Sequence, residues 1–163
     1  MKNGMLSLPG FVGRYRNVIL EIISFLFILL FAYTAISKLL EPDKFFNNIN
    51  NSPVLGGWMM AKITQWTIPG LELLAAVLIA IPKTRLKGFY TALALMLVFS
   101  SYVIAILFFS PYTPCSCGGV VTQLSWTQHL VFNVFWMLLA ITVILLKTKG
   151  KKKKHPLTEH IYL

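Results

Sequence analysis

GFYTALALMLVFSSYVIAILFFSPYTPCSCGGVVTQLSWTQHLVFNVFWMLLAITVILL, residues 88–146, contains no Lys, Arg, Asp or Glu. Crossing a hydrocarbon core as a helix takes about 20 predominantly apolar residues. This stretch holds two such windows, Gly88 to Phe109 and Trp126 to Leu146. Ser110-Pro111 ends the first, because proline lacks the N–H that would continue a helix. Between the windows lie Cys115-Ser116-Cys117, which hold the only two cysteines of the chain.

Two further windows lie upstream. The first runs from about Val18 to Leu39, its uncharged centre bracketed by Glu21 and Lys38. The next runs from Ile63 to Ile81 with one charge, Glu72. Of the 163 residues, 56% are hydrophobic and 12% charged, too few polar groups to cover a soluble globule. The sequence therefore predicts an all-α integral membrane protein, a bundle of four transmembrane helices. Residues 1–17 form an N-terminal segment, 18–146 the membrane domain and 147–163 a basic tail. Lys2, Arg14 and Arg16 before the first window raise the rival reading of a cleavable signal peptide. Its apolar core is too long, and no clear A-x-A site follows.

A net charge of +10 could suggest a nucleic-acid binder, but six of the fifteen basic residues lie in one tail and no basic patch alternates with aromatics. The charge instead reads as topology. Cytoplasmic flanks are enriched in Lys and Arg. The N-terminus, the turn with Lys83, Arg85 and Lys87, and the tail from Lys147 to Lys154 together carry twelve of the fifteen. The other side has Lys38, Lys44 and Lys62, offset by Glu41 and Asp43, and the cysteine loop has none. Both termini are thus expected to be cytoplasmic. The cysteine loop faces outward, where disulfides persist. The tail cluster also suits anionic lipid, though simple anchoring accounts for it.

Leu40 to Phe46, followed by the Asn-rich residues 47–51, reads as an amphipathic connector at headgroup depth, and Trp58 and Trp66 as part of an aromatic belt. Ser125-Trp126-Thr127-Gln128 matches a capping box, in which Ser and Gln side chains satisfy orphan N–H groups at a helix start. It places His129 in the first turn of the last helix, near the cysteine loop.

Cys115 and Cys117 can bridge only if the backbone turns, because bridged Cα atoms lie about 4.4–6.8 Å apart. Pro114 and Gly118-Gly119 favour that turn. A tight ring is strained, and strained, exposed disulfides exchange readily. Thiol–disulfide exchange is the favoured reading. A structural bridge, half a metal site and two inert thiols are its rivals. A metal would need more ligands, and His129 with Asp43 or Glu41 is a poor set.

Counted from Ile63, Glu72 lies roughly 14 Å into its helix. A carboxyl near the midplane is a functional candidate by default. Equally, it could be a protonated structural group bonded to Tyr33, Thr34, Ser100, Ser101 or Tyr102. Lys38, at the outer end of the first helix, can snorkel to the headgroups, and pairing with Glu72 needs a reach of more than two helical turns. A direct salt bridge is therefore not expected. Asn133 shares a helix face with His129 at i, i+4 and is expected to bond across helices.

The stretch from Pro114 to Asn133, together with Ala35-Ile-Ser-Lys38-Leu-Leu-Glu-Pro42-Asp43-Lys-Phe45 and Ile68-Pro69-Gly-Leu-Glu72-Leu, resembles the MauE family. These are four-helix methylamine-utilisation membrane proteins related to DoxX. The likeness covers about Val18 to Leu146. It implies a part in periplasmic thiol–disulfide chemistry beside a thioredoxin-like protein, during maturation of the disulfide-rich small subunit of methylamine dehydrogenase. Carried over by position, Cys115 and Cys117 would be the redox pair, with Lys38, Glu72 and Asn133 as framework or site residues. Ser116, Gly118-Gly119 and His129 depart from the family pattern and put the client in doubt.

A single pair cannot pass electrons along a chain of internal disulfides, so a second carrier is needed. A quinone is one candidate and a partner subunit the other. The expected partners are a thioredoxin-like periplasmic protein or exported thiol client and the lipid bilayer. The alternative function is a non-catalytic DoxX-like anchor or assembly subunit with a structural disulfide. A small transporter ranks last, because only Glu72 supplies a polar lining.

Overall fold

Each apolar window is a helix in the computed structural model, which describes the backbone of residues 8–109 and 125–152 and the side chains of 17–109 and 125–148. In chain order the helices are α1 (Leu8–Leu40), α2 (Pro42–Asn50), α3 (Trp58–Ala80), α4 (Arg85–Phe109) and α5 (Trp126–Lys152). Four segments are long and apolar enough to cross a bilayer: Asn17–Leu40, Trp58–Ala80, Arg85–Phe109 and Trp126–Thr148. Among the described residues there is no strand. The chain is an all-α membrane protein built on these four helices.

Most helices run beyond their apolar windows, because hydropathy marks the part that crosses lipid and not the end of hydrogen bonding. α3 begins at Trp58 and not Ile63, and α4 at Arg85 and not Gly88. Lys and Arg are good helix formers and do not stop a helix at the membrane edge. Gly57, at φ +124°, makes the entry to α3, a backbone conformation that side-chain-bearing residues rarely adopt.

The expected connector is a helix in its own right. Pro42 starts α2, where its missing N–H costs nothing. Phe45 and Ile49, one turn apart, are buried against Ala61 of α3. On its other side Glu41 and Lys44 form an exposed ion pair at 2.9 Å.

α1 packs on α3, α4 lies between α3 and α5, and α2 rests on α3. Phe27 of α1 is fully buried where the long helices meet, edge-on to Phe89 of α4 at 5.2 Å and to Trp136 of α5 at 4.8 Å between ring centroids. Outward-facing Phe25, Leu29, Val98, Phe108 and Leu138 are largely exposed, as a lipid-facing surface requires. Several hydroxyls on the long helices bond within their own helix: Ser24 to the Leu20 carbonyl, Thr67 to Ile63, Ser101 to Leu97 and Thr142 to Leu138. That satisfies them without water.

The α3–α4 hairpin closes tightly. A Cβ at Gly88 would stand 2.6 Å from the Ile79 backbone nitrogen, so only glycine permits this approach. Arg85, next to the turn, donates to the Ile79 carbonyl at 3.0 Å and pairs with Glu21 of α1. This ties three helices at that end of the bundle.

Candidate functional site

At the other end the Lys38 ammonium lies 2.8 Å and 3.0 Å from the two carboxylate oxygens of Glu72. The expectation that they do not pair is thus corrected. Cα–Cβ bonds tilt toward a helix's N-terminus. α1 and α3 are consecutive membrane-length helices running in opposite directions, so the lysine leans into the bundle and the glutamate leans up to meet it. The Lys38 ammonium also donates to the Thr34 carbonyl, four residues back, at 3.3 Å. It points inward and does not snorkel.

The pair is buried, with side chains 12% exposed for Lys38 and 1% for Glu72. Two phenylalanine rings flank the ammonium, Phe45 of α2 and Phe99 of α4, each centred 5.8 Å away. That is within cation–π range. Of the hydroxyls considered for Glu72, Tyr33 is half exposed, Ser101 bonds its own helix, and Tyr102 donates to Ser52 at 2.9 Å. Ser100 is buried with no hydrogen-bond partner on its hydroxyl. Thr34, the fifth, donates to the Phe31 carbonyl at 3.2 Å and also lies in hydrogen-bond contact with Glu72, so the carboxylate is held chiefly by a lysine, with Thr34 beside it.

Beside the pair is a cavity of about 140 Å³ lined by all five helices. Thr34, Lys38, Glu72, His129 and Asn133 provide most of its polar wall, with Thr64; Phe31, Phe45, Phe99, Tyr102, Trp126 and Phe132 provide its aromatic wall. Four residues singled out separately in the sequence, Lys38, Glu72, His129 and Asn133, therefore share one chamber. Asn133 is 3% exposed, and among the described residues its amide nitrogen has no hydrogen-bond partner, so the expected interhelical bond from that group is not formed among them.

Local chemistry explains how each wall is placed. The capping box forms as expected: the Ser125 N–H donates to the Gln128 side-chain oxygen at 2.9 Å, and the Gln128 N–H to the Ser125 hydroxyl at 3.3 Å. It fixes the start of α5 and so sets His129 and Asn133 on the cavity side. Above the pair, α2 acts as a cover. Its C-terminal turn is held by Ser52, whose hydroxyl accepts from the Val54 and Leu55 N–H groups, both at 3.3 Å, and from Tyr102 of α4. Sequence reasoning missed this cover and the Phe99 contact. The i, i+4 spacing of Phe45 and Ile49 was the available signal for the first.

Cys115 and Cys117 lie outside the described residues, as does the loop from 110 to 124. Among the described residues no three His, Cys, Asp or Glu side chains are grouped so as to hold a metal ion. Glu41, considered as a ligand, is spent on Lys44.

Fold and site together define a four-helix membrane protein with a buried Lys–Glu pair and an aromatic-walled chamber under a short covering helix. The family model for "Methylamine utilisation protein MauE" matches residues 16–146. The chain belongs to the MauE family. It is 31% identical over 106 residues to the "Methylamine utilization protein MauE" of Methylophilus methylotrophus, an alignment covering 65% of this chain and 55% of that relative. The chain thus spans about half the length of the curated relative it matches. No solved structure matches it.

Proposed function

We propose that this protein is a membrane component of extracytoplasmic thiol–disulfide chemistry, acting through Cys115 and Cys117 on a thioredoxin-like protein or an exported thiol client. The observation that carries the reading is position along the chain. The chamber is walled by the last turns of α4, through Phe99 and Tyr102, and the first turns of α5, through Trp126, His129 and Asn133. The connection between those two helices holds the only cysteines. Membership of the MauE family supports a part in methylamine utilisation.

In this reading a thiolate of one protein attacks the disulfide of the other, and the second thiol resolves the mixed disulfide. Two electrons pass from dithiol to disulfide. The charge distribution supports an inner-membrane topology with both termini cytoplasmic and the cysteine loop outward, since twelve of fifteen basic residues then face the cytoplasm.

The test replaces both cysteines, Cys115→Ser with Cys117→Ser, in the native host. Loss of disulfides from exported client proteins, with membrane assembly intact, is the expected result. Unchanged client disulfides with intact assembly would leave the protein a non-catalytic anchor.

A further inference from the structure

We infer that the chamber beside Lys38 and Glu72 is a binding site for an uncharged, carbonyl-bearing ring that reaches it from the bilayer, a quinone headgroup. The argument begins with size. A void of about 140 Å³ compares with an engineered cavity of roughly 150 Å³ that takes up benzene. It fits one six-membered ring, and because the chamber is partly open the ring's substituents can extend out of it.

Charge then narrows the ligand. A free organic cation has no place here, because the carboxylate of Glu72 is already paired and Lys38 is itself the ammonium between Phe45 and Phe99. An anion would unbalance a neutral ion pair in a desolvated interior, at high cost. What remains is a neutral molecule.

Hydrogen bonding supplies the polarity. The Asn133 amide nitrogen is a donor in the chamber wall with no partner among the described residues, and a buried donor left unmade is costly. A ligand oxygen that accepts from it removes that cost. Ether and ester lipids also offer oxygens, but flat aromatic walls at Phe99 and Trp126 select a planar ring.

The redox role of such a ligand rests on the function proposed above. There, oxidation of a dithiol would break two S–H bonds and form one S–S bond, while the quinone would take two electrons and two protons at its carbonyl oxygens and leave as quinol. This sets the direction of electron flow from client to membrane pool.

Binding is tested in lipid nanodiscs on the full chain with Cys115→Ser and Cys117→Ser, which removes thiol addition to quinones. Duroquinone is titrated against tryptophan fluorescence, with durene, the same ring without carbonyls, as competitor. Saturable quenching by duroquinone, at least tenfold tighter than competition by durene, is expected. Asn133→Leu should abolish that preference, and Ile68→Phe, which fills the chamber, should abolish binding. Non-saturable quenching, or equal affinity for durene, would overturn the site whatever the variants do. Binding by the cysteine-free protein, with client disulfides in cells carrying the unsubstituted protein no different from those in cells carrying the double cysteine variant, would refute the redox role alone. Client oxidation without binding would refute the site alone.

Discussion

Lys38 and Glu72, 34 positions apart in the chain, meet through two contacts of ordinary length from the ammonium to the carboxylate, while the same ammonium donates to the Thr34 carbonyl of its own helix. The pair joins α1 to α3 and forms one wall of the chamber. Removing one partner leaves the other charge buried, a loss of about 3–5 kcal/mol for buried pairs. Lys38→Met and Glu72→Leu should each destabilise the bundle by that order in SDS titrations from mixed micelles. The double variant should recover most of the loss, and additive losses would show that the two charges are not coupled.

Gly88 and Gly70 give a paired test of packing. A methyl group at Gly88 collides with the backbone of α3, whereas one at Gly70 meets nothing within 4 Å. Gly88→Ala should cost about 1–3 kcal/mol through overpacking. Gly70→Ala, in an exposed helical position, should be neutral or stabilise by up to about 1 kcal/mol. The same titrations measure both.

Much of this arrangement could be read from the sequence where the signal is local. The four spans follow from runs of apolar residues, and the start of α5 follows from Ser125 and Gln128, which interact across three positions. Lys38, Glu72, His129 and Asn133 could each be picked out as costly polar residues in apolar surroundings. Their meeting could not. Counting depth along straight helices ignored the opposite tilts of Cβ in α1 and α3 and assumed that the end of one helix and the start of the other lie level, whereas α3 begins at Trp58 and extends well past Lys38. α2 was legible only as amphipathic spacing, because what makes it a cover is its contact with Ala61 of another helix.

The cover should loosen when its tie to α4 is removed. Tyr102→Phe deletes the bond to Ser52 and should cost about 0.5–1.5 kcal/mol. Its signature is local: the amides of Asn51, Ser52 and Gly57, which bond within this turn, should exchange hydrogen faster. Faster exchange spread evenly over α3 and α4 instead would mean that Tyr102 supports the whole bundle and not the cover.

Topology has its own test. In a background lacking Cys115 and Cys117, single cysteines at Leu55 and Lys83 lie in the α2–α3 and α3–α4 connections. A membrane-impermeant maleimide should label Leu55→Cys in intact cells and Lys83→Cys only after permeabilisation. The reverse pattern would invert the protein in the membrane and put the cysteine loop in the cytoplasm.

The redox state of Cys115 and Cys117 in intact cells tests the proposed function most directly. Alkylation of the unsubstituted protein with a membrane-impermeant thiol reagent should succeed only after treatment with a reductant, the behaviour of an outward-facing disulfide. Labelling only after lysis, with or without reductant, would contradict an extracytoplasmic redox pair.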